Sequence, residues 1–114
     1  MTQPIIWHNP RCSKSRETLG ILEEGGFTPT VVRYLETSPS ANEIRETLAL
    51  LGIKASDLIR KGESVYKELG LKNANEDELV EAMAAHPILI ERPVVFYNVK
   101  ASVGRPPKSV LSIL

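Results

Sequence analysis

A single cysteine, Cys12, occurs in the 114 residues of this chain. A disulfide framework and a cysteine-rich zinc site are therefore excluded within it. Any disulfide that Cys12 forms must join it to a different molecule. Excess charge is also missing, since 14 Lys and Arg balance 14 Asp and Glu. That balance argues against general affinity for nucleic acid or acidic lipid. No apolar run approaches the roughly 20 residues needed to span a bilayer. Met1-Thr2-Gln3-Pro4 lacks the basic stretch followed by an apolar one that marks a signal peptide. The expectation is a cytoplasmic protein, away from membranes, with a reduced thiol. Apolar residues make up 42% of the chain, enough to fill the core of one domain over residues 1–114.

Pro and Gly punctuate the sequence at intervals suited to element boundaries. Ile5-Ile6-Trp7 reads as a short buried strand and His8-Asn9-Pro10-Arg11 as a turn. A helix is expected from near Ser13 to Glu24, with Leu19 and Leu22 inward and Gly25-Gly26 as its stop. Val31–Leu35 reads as a second strand. Ser40 and Glu43 have the spacing of a capping box, as do Asn75 and Glu78. Ile44, Leu48 and Leu51 follow the first box, and Leu79, Val80 and Met83 follow the second. Residues 55–70 read as short helical turns broken by Gly62 and Gly70. Val94–Tyr97 is a third strand, with a short fourth near Ala101–Val103. Pro106-Pro107 suits the start of a last helix with Val110, Leu111 and Leu114 on its face. The order β-α-β, a helical middle, then β-β-α predicts an α/β fold with a mixed four-stranded sheet. This is the thioredoxin-like layout with a helical insertion at about residues 38–90.

Cys12 falls in the turn between the first strand and its helix. A thiol there meets unpaired backbone N–H groups at the positive end of the helix dipole, which favours thiolate. Arg11, Lys14 and Arg16 surround it, and with His8 neutral the window 8–16 carries +3 and no acid. The alternative is a buried, inert cysteine in an ordinary loop; the cations favour a reactive one. The same helix start suits an oxyanion, which needs cations to grip it. Arg60, Arg92 and Arg105 are the candidates, the last two each directly before a proline. Each alone could be a solvated surface cation. Segment 92–114 has four Lys and Arg and no acid, whereas 73–91 has five acids and no Lys or Arg. The acidic stretch reads as a solvated helix face. Trp7 reads as strand-end packing. A phosphatase-type loop would need arginine at position 18, which is Thr, and an internal dithiol would need cysteine at position 15, which is Ser.

His8-Asn9-Pro10-Arg11-Cys12-Ser13-Lys14-Ser15-Arg16-Glu17-Thr18-Leu19 resembles the active-site segment of the glutaredoxin-coupled arsenate reductase (ArsC) family. The likeness continues through Tyr34-Leu35-Glu36, Leu58-Ile59-Arg60-Lys61, Tyr66–Leu71, His86–Pro93 and Gly104-Arg105-Pro106. Each piece is weak alone; the ordered set is specific and covers nearly the whole chain. Ser13-Lys14 follows the cysteine where arsenic-resistance members typically have Gly-Thr, and the sequence stops at Leu114 where they usually carry a further tail. Both features resemble a shorter, housekeeping branch. The resemblance implies a thioredoxin-like fold with Cys12 as nucleophile and His8 near it. It implies that Arg60, Arg92 and Arg105 form the oxyanion site, supported by Arg16, Ser15 and a cis Pro93.

The reaction so implied is reduction of arsenate to arsenite through a Cys12 thiol–arsenate adduct. No second cysteine exists, so glutathione is the expected external reductant, with glutaredoxin clearing the resulting mixed disulfide. No bound cofactor and no metal are expected, and a monomer is. Two other functions fit less of the sequence. A glutathione-dependent thiol transferase would use the arginines for glutathione carboxylates. A thioredoxin-like transcription-regulator or adaptor would dock on RNA polymerase, but such proteins lack the full arginine set and often carry C-x-x-C.

Overall fold

The computed structural model describes residues 3–114. The chain forms two compact units, one containing the described residues up to Thr37 together with Arg92–Leu114, the other Ser38–Glu91.

The first unit holds the sheet. β1 (Ile5–Trp7), α1 (Ser13–Glu24), β2 (Thr30–Val32), β3 (Val94–Tyr97) and β4 (Lys100–Val103) follow in order, then a 3₁₀ helix over Pro107–Ile113. The four strands lie in the order β2-β1-β3-β4. β1 runs parallel to β2, pairing Ile6 with Val31, and antiparallel to β3, pairing Ile6 with Val95. β3 and β4 form an antiparallel hairpin with Val95 opposite Ser102. This mixed sheet is the thioredoxin-like arrangement that the element order predicted. Ile6, Leu22, Val95 and Val110 are fully buried together, with Leu19, Ile21 and Ile113 packed on them. Each such aliphatic side chain contributes about 1.5–3 kcal/mol on burial.

α1 begins and ends where the sequence placed it. Its stop is made by Gly25 and Gly26, whose N–H groups donate to Ile21 O and Glu23 O at 3.1 and 3.0 Å. Gly26 adopts φ 87°, a conformation glycine takes at little cost.

Four local expectations are corrected. The second strand is Thr30–Val32, not Val31–Leu35: residues 34–36 form a turn, closed by the N–H groups of Glu36 and Thr37 on Arg33 O at 2.9 Å each. Tyr34 is fully buried from that turn, so its apolar character reflects burial outside a strand. Ile5 is 40% exposed, whereas Ile6 and Trp7 are buried. The fourth strand starts at Lys100. The last helix is 3₁₀, with three residues per turn. That period aligns Pro107, Val110 and Ile113 inward, and leaves Leu111 exposed and Leu114 partly so, at 53% and 37%.

The second unit is helical: α2 (Ala41–Leu51), α3 (Ala55–Leu58), α4 (Ser64–Glu68) and α5 (Glu76–Ala85), with 3₁₀ turns at Leu71–Asn73 and Pro87–Leu89. Both capping boxes form. Ser40 Oγ accepts from Glu43 N–H at 3.1 Å while Glu43 accepts from Ser40 N–H at 3.0 Å. Asn75 and Glu78 do the same at 2.8 and 3.1 Å. Gly52 ends α2 at φ 68°. Ile44, Leu58, Leu79, Met83, Leu89 and Ile90 supply the buried interior. A single antiparallel bridge joins Ile59 to Ile90, reinforced by Arg60 N–H on Leu89 O at 2.6 Å and Glu91 N–H on Leu58 O at 2.9 Å.

Candidate active site

β1 runs out through His8, whose N–H donates to Val32 O at 2.8 Å and prolongs the parallel pairing. Asn9 then folds the chain back. Its side-chain oxygen accepts from Arg11 N–H at 3.0 Å, and its carbonyl accepts from Cys12 N–H at 3.0 Å. Cys12 is the N-cap of α1, with extended backbone (φ −96°, ψ 122°), and its carbonyl accepts the first helical bond from Arg16 N–H at 3.0 Å. An N-cap side chain lies over the unpaired N–H groups of the first turn. Here that side chain is a thiol. It makes no ordinary capping hydrogen bond, but the Ser15 and Lys14 N–H groups favour its anion.

Two guanidinium groups complete this environment. Arg105 Nη2 lies 3.8 Å from Cys12 Sγ, and Arg105 Nε donates to Arg92 O at 2.8 Å. The Arg92 side chain also favours the anionic sulfur, as a hydrogen-bonding group and as a charge. Partial burial pushes the Cys12 pKa up. The Ser15 N–H, the Arg92 side chain and the Lys14 N–H together outweigh that, so the thiol lies below its ordinary value. The sulfur is therefore a thiolate-prone nucleophile beside two forked cations, a setting suited to attack on an electrophilic centre bearing oxyanions.

His8 is buried and its Nδ1 lies 2.6 Å from Ser15 Oγ, which also accepts from Asn9 N–H at 3.0 Å. Ser15 thus joins the start of the turn to the first turn of α1. Burial, then the charges of Arg33 and Arg16, lower the His8 pKa, so the ring is neutral at neutral pH and the thiol's positive surroundings come from arginine. Arg16 Nη1 donates to Pro10 O at 2.9 Å, bracing the turn from outside.

Cys12, His8, Ser15, Arg16, Arg92, Pro93 and Arg105 all belong to the sheet unit, and Cys12, Arg92 and Arg105 meet there. Arg60 belongs to the helical unit. Its Nη1 donates to Glu91 Oε1 at 2.7 Å and its Nε lies 3.7 Å from Glu63 Oε1. The Ile59–Ile90 bridge brings Arg60 and Glu91 together across adjacent extended segments. Sequence reading missed these two carboxylates as partners of Arg60.

Pro93 is buried, and the Arg92–Pro93 peptide is cis; so is Arg105–Pro106, which sequence reading did not mark. Sequence reading also assigned no role to Gly104 and Thr18, although both stand inside quoted segments. Trp7 is packing: its ring meets Phe96 edge-on at 5.1 Å. Among the described residues, no three His, Cys, Asp or Glu side chains cluster as a metal ion would require. No helix among them is long and apolar enough to cross a membrane.

Comparison with known proteins shows the family and the fold. Residues 7–113 match the model of the ArsC family. The chain is 50% identical to a protein of Escherichia coli K12 named "Uncharacterized protein YfgD", covering all of this chain and 99% of that one. It is 47% identical to a protein of Neisseria meningitidis serogroup A named "Arsenate reductase", over the full length of both. The solved structure titled "Arsenate reductase from Vibrio cholerae" superposes with a TM-score of 0.95 at 50% identity, covering 98% of each chain. By its sequence over its whole length, and by the fold that sequence adopts, this chain belongs to the ArsC family.

Proposed function

We propose that this protein is an arsenate reductase that uses Cys12 as a covalent nucleophile. The observation that carries the reading is the thiol at the start of α1 with Arg92 and Arg105 on it. Relatives of similar length bear the name arsenate reductase.

In the first step Cys12 thiolate attacks arsenic. A sulfur–arsenic bond forms, one arsenate oxygen leaves as water after protonation, and arsenic stays pentavalent. Arg92 and Arg105 spread the remaining oxyanion charge. Arg60 enters as a third grip on the family resemblance. In the second step an external thiolate, glutathione, attacks Cys12 sulfur. The sulfur–arsenic bond breaks with its electron pair going to arsenic, which leaves as trivalent arsenite. Two thiols have become one Cys12–glutathione disulfide, which accounts for both electrons. Glutaredoxin thiolate then attacks the glutathione sulfur and frees Cys12 as thiolate. His8, neutral and bonded to Ser15, holds the turn that presents the sulfur.

A coupled assay with arsenate, glutathione, glutaredoxin and NADPH tests the reading. NADPH oxidation should depend on arsenate and vanish in Cys12→Ser. Turnover of a glutathione mixed disulfide without any response to arsenate would replace the reductase with a thiol transferase.

A further inference from the structure

Gly104 is buried and its backbone does not adopt a left-handed conformation, so conformational freedom does not explain glycine there. Space does. A Cβ at position 104 would lie 2.5 Å from Thr18 Oγ1, 2.8 Å from Pro93 Cγ and 3.2 Å from Pro93 Cδ. No other glycine has a neighbour closer than 3.4 Å. Neither obstacle can swing aside. Thr18 is fully buried in α1, its hydroxyl donating to Lys14 O at 2.8 Å, and Pro93 is a buried ring.

The three segments that touch at this point each carry one site residue. Thr18 lies on the helix capped by Cys12. Pro93 directly follows Arg92. Gly104 directly precedes Arg105. Backbone bonds tie the same spot together: Gly104 N–H donates to Pro93 O at 2.9 Å, and Arg105 Nε to Arg92 O at 2.8 Å. A methyl group here would wedge α1 away from both arginine-bearing segments, and close packing leaves no slack to absorb it.

We infer that Gly104 is a positioning residue, whose missing side chain lets Arg92 and Arg105 close on the Cys12 sulfur. The inference rests on the oxyanion reading of that site. It concerns the assembly of the site, so turnover is not needed to test it.

The variants are Gly104→Ala and the double variant Gly104→Ala with Thr18→Ala, which removes the nearest obstacle. Two quantities are read on each: the pH profile of Cys12 alkylation by iodoacetamide, and the protection that inorganic phosphate gives against it. In Gly104→Ala the apparent thiol pKa should rise toward its ordinary value, and phosphate protection should weaken about tenfold, as for a lost charge-assisted hydrogen bond. The double variant should move both back toward the parent. A merely structural glycine would lower the melting temperature and leave the pH profile and phosphate protection unchanged; that result overturns the inference. If Gly104→Ala does not fold, the double variant decides alone. Parent-like readings support the inference. An ordinary thiol without phosphate protection, in a double variant that folds with the parent's melting temperature and so accommodates the methyl group, overturns it. If phosphate fails to protect even the parent, the oxyanion reading falls, and the thiol pKa still decides the role of Gly104.

Discussion

At the scale of the residue, the chemistry reduces to which charge the Cys12 sulfur carries. Burial opposes the thiolate; the Ser15 and Lys14 N–H groups and Arg92 favour it and prevail. The folded thiol therefore ionises below its unfolded counterpart. The stability contributed by the anion is complete above the ordinary thiol pKa and is lost as pH falls through the folded value. Urea unfolding of the parent and of Cys12→Ser across that window should show a gap that widens with rising pH. A gap independent of pH would mean an unperturbed thiol. The single cysteine, the cations of residues 8–16 and the strand-to-helix turn made this sulfur legible in the sequence. The approach of Arg105, 93 residues away, was implied by the family resemblance and by nothing local. No local pattern encodes a contact of that separation; the β3–β4 hairpin brings Arg105 back beside Arg92.

At the scale of the element, local chemistry and function pull apart in α1. α2 and α5 have capping boxes and acids in their first turns, as the macrodipole favours. α1 has no acid there, a thiol for a cap, and Lys14 and Arg16 in its first residues. Cations at a helix start cost about 0.3–1 kcal/mol each. Lys14→Glu should therefore stabilise the fold by a few tenths of a kcal/mol in thermal unfolding and, in the same protein, slow Cys12 alkylation at neutral pH. Loss of both stability and reactivity would refute that trade.

The β3–β4 turn shows a second conflict. Asn98 and Val99 both take positive φ, 51° and 55°, and Val99 is 91% exposed. Two-residue hairpin turns of this hand favour Asn-Gly, and a β-branched residue at positive φ is strained. Val99→Gly should raise unfolding free energy by about 1 kcal/mol. An unchanged or lowered midpoint would show that Val99 packs usefully after all. Sequence reading left residues 98–100 between its third and fourth strands without foreseeing this strain, because Val carries no turn signal. It likewise gave the last helix an inward face of which only Val110 is buried, with Leu111 and Leu114 displaced, since a helical period of 3.6 was assumed where 3.0 is adopted.

At the scale of the whole molecule, the zero net charge conceals a division. Residues 1–37 with 92–114, the sheet unit, carry eight Lys and Arg against four Asp and Glu; residues 38–91, the helical unit, carry six against ten. The excess cation thus lies on the unit that contains Cys12. An anionic reagent should be drawn to the sulfur more than a neutral one. The ratio of alkylation rates for iodoacetate and iodoacetamide cancels the thiolate fraction and reads this potential. It should exceed that of a small free thiol at low salt and fall as salt is added, since the Debye length is only about 10 Å at 0.1 M. A ratio indifferent to salt would leave the cations without a steering role.

The sequence by itself determined most of the elements, with their caps and stops, the order that gives a thioredoxin-like sheet, and the place of Cys12 at a strand-to-helix turn. These follow from interactions between residues a few positions apart, which periodicity, glycine and capping side chains reveal. The tertiary structure alone decided which arginines reach the sulfur, what holds Arg60, and why residue 104 has no side chain. Those depend on distant segments touching within a few ångströms, a relation that spacing along the chain does not contain.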